Sequence, residues 1–188
     1  MKEKEANWSE NLPDWSENLP DWDAEQEPAT AAKTIIVGID PSATHGGIAV
    51  LNSDGEVLSL VTMPPTPEDI FMFFRDISGD ARAYLEDVGH GIPGQSSAAT
   101  AKFARHCGHL EMALLAAGIP TTTVTPQKWM RPYQLGSSKN LTKTEWKNKL
   151  KAKAQQLFPS LGKKLTLANC DALLIAYYGV IYGGRKNG

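Results

Sequence analysis

The stretch Thr34-Ile-Ile-Val-Gly-Ile-Asp-Pro-Ser42 constrains the fold more than any other. A short run of β-branched and aliphatic residues, stopped by a proline that has no N–H for a sheet ladder, reads as a buried strand ending at Asp40. A carboxylate at the tip of a buried strand is costly unless a metal ion or a basic group pairs with it. The chain then passes through Gly46-Gly47 into Ile48-Ala49-Val50-Leu51, which returns beside the first strand.

The remaining elements follow in order. Strands over 34–40, 46–52 and 56–63, the last two joined by Ser53-Asp54-Gly55, predict a three-strand antiparallel meander. Pro64-Pro65-Thr66-Pro67 closes it, and Thr66, Pro67 and Glu68 start a helix over 69–77. A fourth strand over 82–88 again ends in acid. Glu86 and Asp87 point to opposite faces, so one alone can meet Asp40, and we assign that place to Glu86. The glycines of the loop 89–95 permit close approach of a phosphate chain, or make an ordinary strand-to-helix turn. A long helix over 97–117 carries Phe103, Cys107, Leu110 and Leu114 at core spacing and stops at Gly118-Ile119-Pro120. A fifth strand spans 121–125. Thr142 and Glu145 form a capping box for a helix reaching Phe158, and a nearly all-apolar helix covers 167–179. Asp171 in its first turn is either a capping residue or a third metal ligand. The pattern is α/β, a mixed five-stranded sheet in which the meander joins parallel strands flanked by helices.

With 188 residues, the chain has room for one core over 33–188 and a tail over 1–32. The tail repeats Trp-Ser-Glu-Asn-Leu-Pro-Asp at 8–14 and 15–21. Two seven-residue copies, each with a proline, cannot stack into a solenoid, which predicts a disordered acidic tail. Such a tail is either an inert solubilising segment or a docking segment for a protein partner or for the chain's own basic surface. Charge is uneven: residues 1–32 hold nine acids and two lysines, 33–101 nine acids and three bases, and 102–188 three acids and fourteen bases. An acidic centre beside a basic surface points to a polyanionic partner. Cys107 and Cys170 have neither metal-ligand spacing nor a disulfide partner pattern. No apolar run approaches bilayer length and the N-terminus has no secretory character, so the expectation is a cytoplasmic protein with no membrane partner.

Asp40, Glu86 and Asp171 form the candidate catalytic and metal-binding set. Carboxylates forced together repel, and hard divalent cations such as Mg2+ or Mn2+ are the usual way to hold them. Lys128, Arg131, Lys139, Lys143 and Lys147, interleaved with Trp129, Tyr133 and Trp146, form the candidate DNA-binding surface.

Val37-Gly-Ile-Asp-Pro-Ser-Ala-Thr-His-Gly-Gly-Ile-Ala-Val-Leu51, Leu85-Glu-Asp-Val-Gly-His-Gly-Ile-Pro-Gly-Gln95, Val124-Thr-Pro-Gln-Lys-Trp129 and Asp171-Ala-Leu-Leu-Ile-Ala176 resemble, in order, the RuvC group of Holliday junction resolvases. That group lies within the RNase H-like superfamily, and the chain is most similar to its phage and plastid branch. The resemblance implies a homodimer that cuts a four-way DNA junction symmetrically and leaves 5′-phosphates. It also implies two Mg2+ or Mn2+ ions per site, with Asp40 bridging them, Glu86 completing one position and Asp171 the other. Lys128 and Lys143 match basic positions near the scissile phosphate. The chain departs from the pattern at Ala168, where the family commonly places an Asp or His three residues before the last acid. Asn169 is polar but lies far around an ideal helix from Asp171. Sugar kinases and actin-like ATPases share the opening pattern but need a second, similar domain, for which this chain is too short. Two alternatives remain: a junction binder with little catalysis, and a nuclease of the same fold acting on another branched or hybrid substrate.

Overall fold

The computed structural model describes residues 33–42, 44–89 and 96–183. The expected tail over 1–32 and most of the glycine loop, 90–95, lie outside the described residues.

Five strands, β1 (Ile35–Asp40), β2 (Gly47–Asn52), β3 (Val57–Thr62), β4 (Ala81–Glu86) and β5 (Thr121–Val124), form one sheet in the order β3-β2-β1-β4-β5. β1 to β3 are the antiparallel meander, while β4 pairs with β1, and β5 with β4, in parallel. Helices α1 (Pro67–Arg75) and α2 (Ser97–Ala116) pack on one face with Val37, Ile39, Ile48 and Leu85. Helices α3 (Pro126–Met130), α4 (Lys143–Leu157) and α5 (Cys170–Tyr182) lie on the other face, where Ile36, Leu51 and Tyr84 meet Leu150, Leu173 and Leu174.

Side-chain alternation assigns each strand residue to a face. Ile36, Gly38 and Asp40 of β1 share the α5 face, while Val37 and Ile39 face α1 and α2. Gly38 sets the distance between β1 and α5. A Cβ there would lie 2.2 Å from the Ala176 nitrogen and 2.3 Å from the Ala172 oxygen, so only glycine admits the helix this close. Nine of the thirteen residues of α5 are buried, Leu173, Leu174 and Ile175 among them. Each such side chain contributes about 1.5–3 kcal/mol on burial. Among the described residues no helix is long and apolar enough to cross a membrane.

Most expected boundaries agree with the structure to within two residues, and the starts of α1 and α5 are displaced for local reasons. α1 begins at Pro67 rather than 69, because the Thr66 hydroxyl accepts the Asp69 N–H at 3.1 Å and so caps the helix two residues earlier. α5 begins at Cys170 rather than 167. The Asn169 side chain accepts the Thr166 N–H at 2.8 Å and donates to the Lys164 carbonyl at 3.1 Å, holding 166–169 as a turn and delaying the helix. The Thr142–Glu145 capping box of α4 is present with both of its reciprocal bonds.

Candidate active site

The parallel pairing of β1 with β4 ends with Ile39 opposite Leu85, so the next residues, Asp40 and Glu86, stand side by side at the strand tips. Both have the parity of the α5 face, shared with Gly38 and Tyr84, whereas Asp87 is exposed. α5 then points its first turn at this edge and brings in Asp171. Asp40 and Asp171 are buried to 4% and 5% exposure, and Glu86 is half-buried. Three carboxylates 46 and 85 residues apart in the chain thus meet at the C-terminal ends of the central strands.

Each acid is held by the chain itself. The Ser42 N–H donates to Asp40 Oδ1 at 3.1 Å, and the Trp129 indole N–H donates to Glu86 Oε1 at 2.9 Å. Asp171 Oδ1 receives the Cys170 thiol at 3.3 Å, and its Oδ2 receives Lys147 Nζ at 2.5 Å. The same ammonium lies 3.6 Å from Asp40 Oδ2, so it bridges the two aspartates.

These surroundings fix the charges. Burial, and then repulsion from Asp171, raise Asp40 to about 6. Burial, and then the charge of Asp40, raise Glu86 to about 7, against the opposing pull of the Trp129 N–H. Burial alone would lower the Lys147 ammonium, but the carboxylates of Asp171 and Asp40 outweigh it and hold Lys147 above the usual lysine range. Burial and the neighbouring Asp171 push the Cys170 thiol up, away from thiolate chemistry.

A hard, oxygen-only donor set of this kind suits Mg2+ or Mn2+ in preference to softer metals. The ammonium seated between Asp40 and Asp171 is a cation already accepted by these groups. Among the described residues no three His, Cys, Asp or Glu side chains are grouped to hold a single ion. An ion there would be held by two of the acids, with water completing its shell, as Mg2+ commonly requires.

The basic residues divide between two flanks. Lys143, Lys147 and Lys151 recur every fourth residue along α4 and face Lys163 and His45 across a cleft of about 1020 Å3 that Ala168 also lines. Lys128 and Arg131 border a second groove of about 1010 Å3 beside β5, with Tyr84 and Tyr178. Lys139 is exposed in the segment before α4. Lys147 lies further in than a surface lysine, since it turns into the acidic cluster. Two aromatic expectations fail: Trp129 is fully buried and Tyr133 nearly so, its hydroxyl donating to the Leu174 carbonyl. Both belong to the core because positions 129 and 133, one helical turn apart, form an apolar stripe against α5, a signal legible beneath the neighbouring Lys128 and Arg131. The same reasoning could have found Lys147, which shares the helix face of Leu150 and Ala154 and so must point inward.

No protein-family model matches the chain, and no curated protein matches it by sequence. Solved structures do. Thermus thermophilus RuvC in complex with a Holliday junction substrate superimposes with a TM-score of 0.58 at 17% identity, covering 79% of this chain and 94% of that one. A second Thermus thermophilus RuvC structure gives a TM-score of 0.52 at 18% identity, covering 79% and 95%. With its mixed five-stranded sheet, the order of its strands and the helices on both faces, the chain has the fold of these RuvC structures.

Proposed function

We propose that this protein is a metal-dependent endonuclease that cuts four-way DNA junctions, acting as a homodimer. The observation that carries the reading is the meeting of Asp40, Glu86 and Asp171 beside a lysine-lined cleft. Asp40 with Glu86, and Asp40 with Asp171, are the candidate pairs for Mg2+ or Mn2+, and only the second already carries an ammonium, that of Lys147. A bound divalent ion there supplies Lewis-acid polarisation of the scissile phosphate and a lowered pKa for an attacking water. The chain's own groups do the rest. Asp40 and Glu86 are ionised once the pH exceeds their raised values, and Trp129 fixes the direction in which Glu86 presents its oxygens. Lys143, Lys151 and Lys163 neutralise the phosphate backbone along the cleft, releasing its counterions. Symmetric cutting needs two copies of the site. α2, with Met112 and Leu115 exposed, is the face we assign to the second copy.

The test is cleavage of a four-way junction library by the full chain with Mg2+ or Mn2+, beside linear duplex and an Asp40→Asn control. Paired symmetric nicks confined to the junction, lost by about 10^3-fold in the control, are expected, since a site of this kind supplies several kcal/mol. Equal nicking of duplex or of an RNA–DNA hybrid would replace the substrate assignment. Ala168, which offers a methyl where the resemblance places a ligand, favours one other reading, a junction binder with little catalysis. Tight binding without nicks under either metal is its signature.

A further inference from the structure

We propose that Lys147 is a built-in cation that takes the place of a second metal ion, so that the protein binds one divalent ion, on Asp40 and Glu86, rather than two. The inference rests on the metal-dependent nuclease reading and specifies its cofactor count. Three observations carry it.

The first is occupancy. Lys147 Nζ touches Asp171 Oδ2 at 2.5 Å and lies 3.6 Å from Asp40 Oδ2, the pair that the resemblance assigns to the second ion. The other Asp171 oxygen already receives the Cys170 thiol, so the chain engages both oxygens of that carboxylate. Glu86, by contrast, is bound through Oε1 to the neutral indole of Trp129 and makes no ion pair among the described residues.

The second is what is missing around Asp171. Ala168 contributes a methyl group to the cleft, and the Asn169 amide is committed to Thr166 and Lys164. An ion on the Asp171 side would have one carboxylate of its own, a share of Asp40 and an ammonium as neighbour. The repulsion between two cations at this separation opposes its entry.

The third is anchorage. Lys147 is one turn inside the capping box of α4, and Leu150 and Ala154 on the same face are buried. The ammonium is therefore delivered by a fixed helix, and its local concentration at the aspartates does not depend on the solution. A lysine in this position balances the charge that a second ion would otherwise balance.

The experiment counts Mn2+ bound by the full chain, from the loss of the free-ion electron paramagnetic resonance signal. One ion per chain is expected in the wild type and in Lys147→Arg, and two in Lys147→Ala. Glu86→Gln is expected to weaken the wild-type ion at least tenfold while leaving the extra ion of Lys147→Ala in place. Two ions in the wild type, or one in Lys147→Ala with folding intact, overturn the inference alone. No ion in the wild type overturns the nuclease reading with it. Should Lys147→Ala fail to fold, the wild-type count and Glu86→Gln decide the matter: retention of the ion in Glu86→Gln overturns the proposal.

Discussion

At the scale of single residues, Asp40 and Glu86 make stability depend on pH in the direction set by burial, which outweighs the Lys147 ion pair at Asp40. Their ordinary values near 3.8 and 4.5 rise to about 6 and about 7 in the fold. Between about pH 4 and pH 7 the unfolded chain has released these protons while the folded chain retains them, so stability falls as the pH rises through that window. The expected loss is a few kcal/mol, since holding a proton tenfold more tightly in the fold is worth about 1.36 kcal/mol. Urea melts of the metal-free protein at about pH 4.5 and about pH 7.5, below and above the two raised values, should show it. Asp40→Asn should flatten the trend, and saturating Mg2+ should do so too, because a divalent cation favours the ionised form. A melt in chelator that is equally stable at both pH values would contradict the placement of these two acids. Asp40 was legible from the sequence because a strand stopped by a proline leaves a single carboxylate at its end, whereas alternation says that only one of Glu86 and Asp87 joins it and does not itself choose Glu86. Lys147 and Trp129 were harder to place, since only their spacing to Leu150 and Tyr133 marks them as inward-facing. Their neighbours Lys143, Lys149, Lys128 and Arg131 are polar, which masked the fact that each of the two points inward.

At the scale of elements, the contact between β1 and α5 governs whether the site exists. Gly38→Ala would place a methyl within 2.3 Å of two backbone atoms of α5, and backbone cannot step aside as a side chain can. The helix must lift from the sheet. The expected cost is above about 3 kcal/mol, at the severe end of single substitutions. A denaturant midpoint unchanged in that variant would show that β1 and α5 are not packed this closely. The strands and helices themselves were readable from alternation and capping residues, and Thr66, Thr142 and Pro67 mark their helices correctly. The start of α5 was not, since apolar spacing extends back to Leu167 and only the two side-chain bonds of Asn169 delay the helix until Cys170. That offset matters chemically: it removes Ala168 from the helix and places it on the wall of the lysine cleft.

At the scale of the whole molecule, the charge asymmetry of the sequence becomes an acidic cluster bordered by a basic cleft along α4. Removing Lys151 should weaken junction binding without abolishing cleavage of the bound junction. If Lys151 meets one phosphate of a duplex arm, the slope of log K against log salt falls by about 0.9 in Lys151→Ala. Binding isotherms over a salt series read this directly, and an unchanged slope would remove Lys151 from the interface. Sequence order has a further consequence. Among the described residues, Asp40 stands on the first strand and Asp171 on the last helix, which also closes one face of β1 and β2. During synthesis all five strands emerge from the ribosome before α5 does. The nascent protein therefore holds an unfinished core and an unfinished site for the same interval, and the helix that completes the fold also completes the acidic cluster. Whatever chemistry the three carboxylates support is thus withheld from every product of translation that stops short of α5.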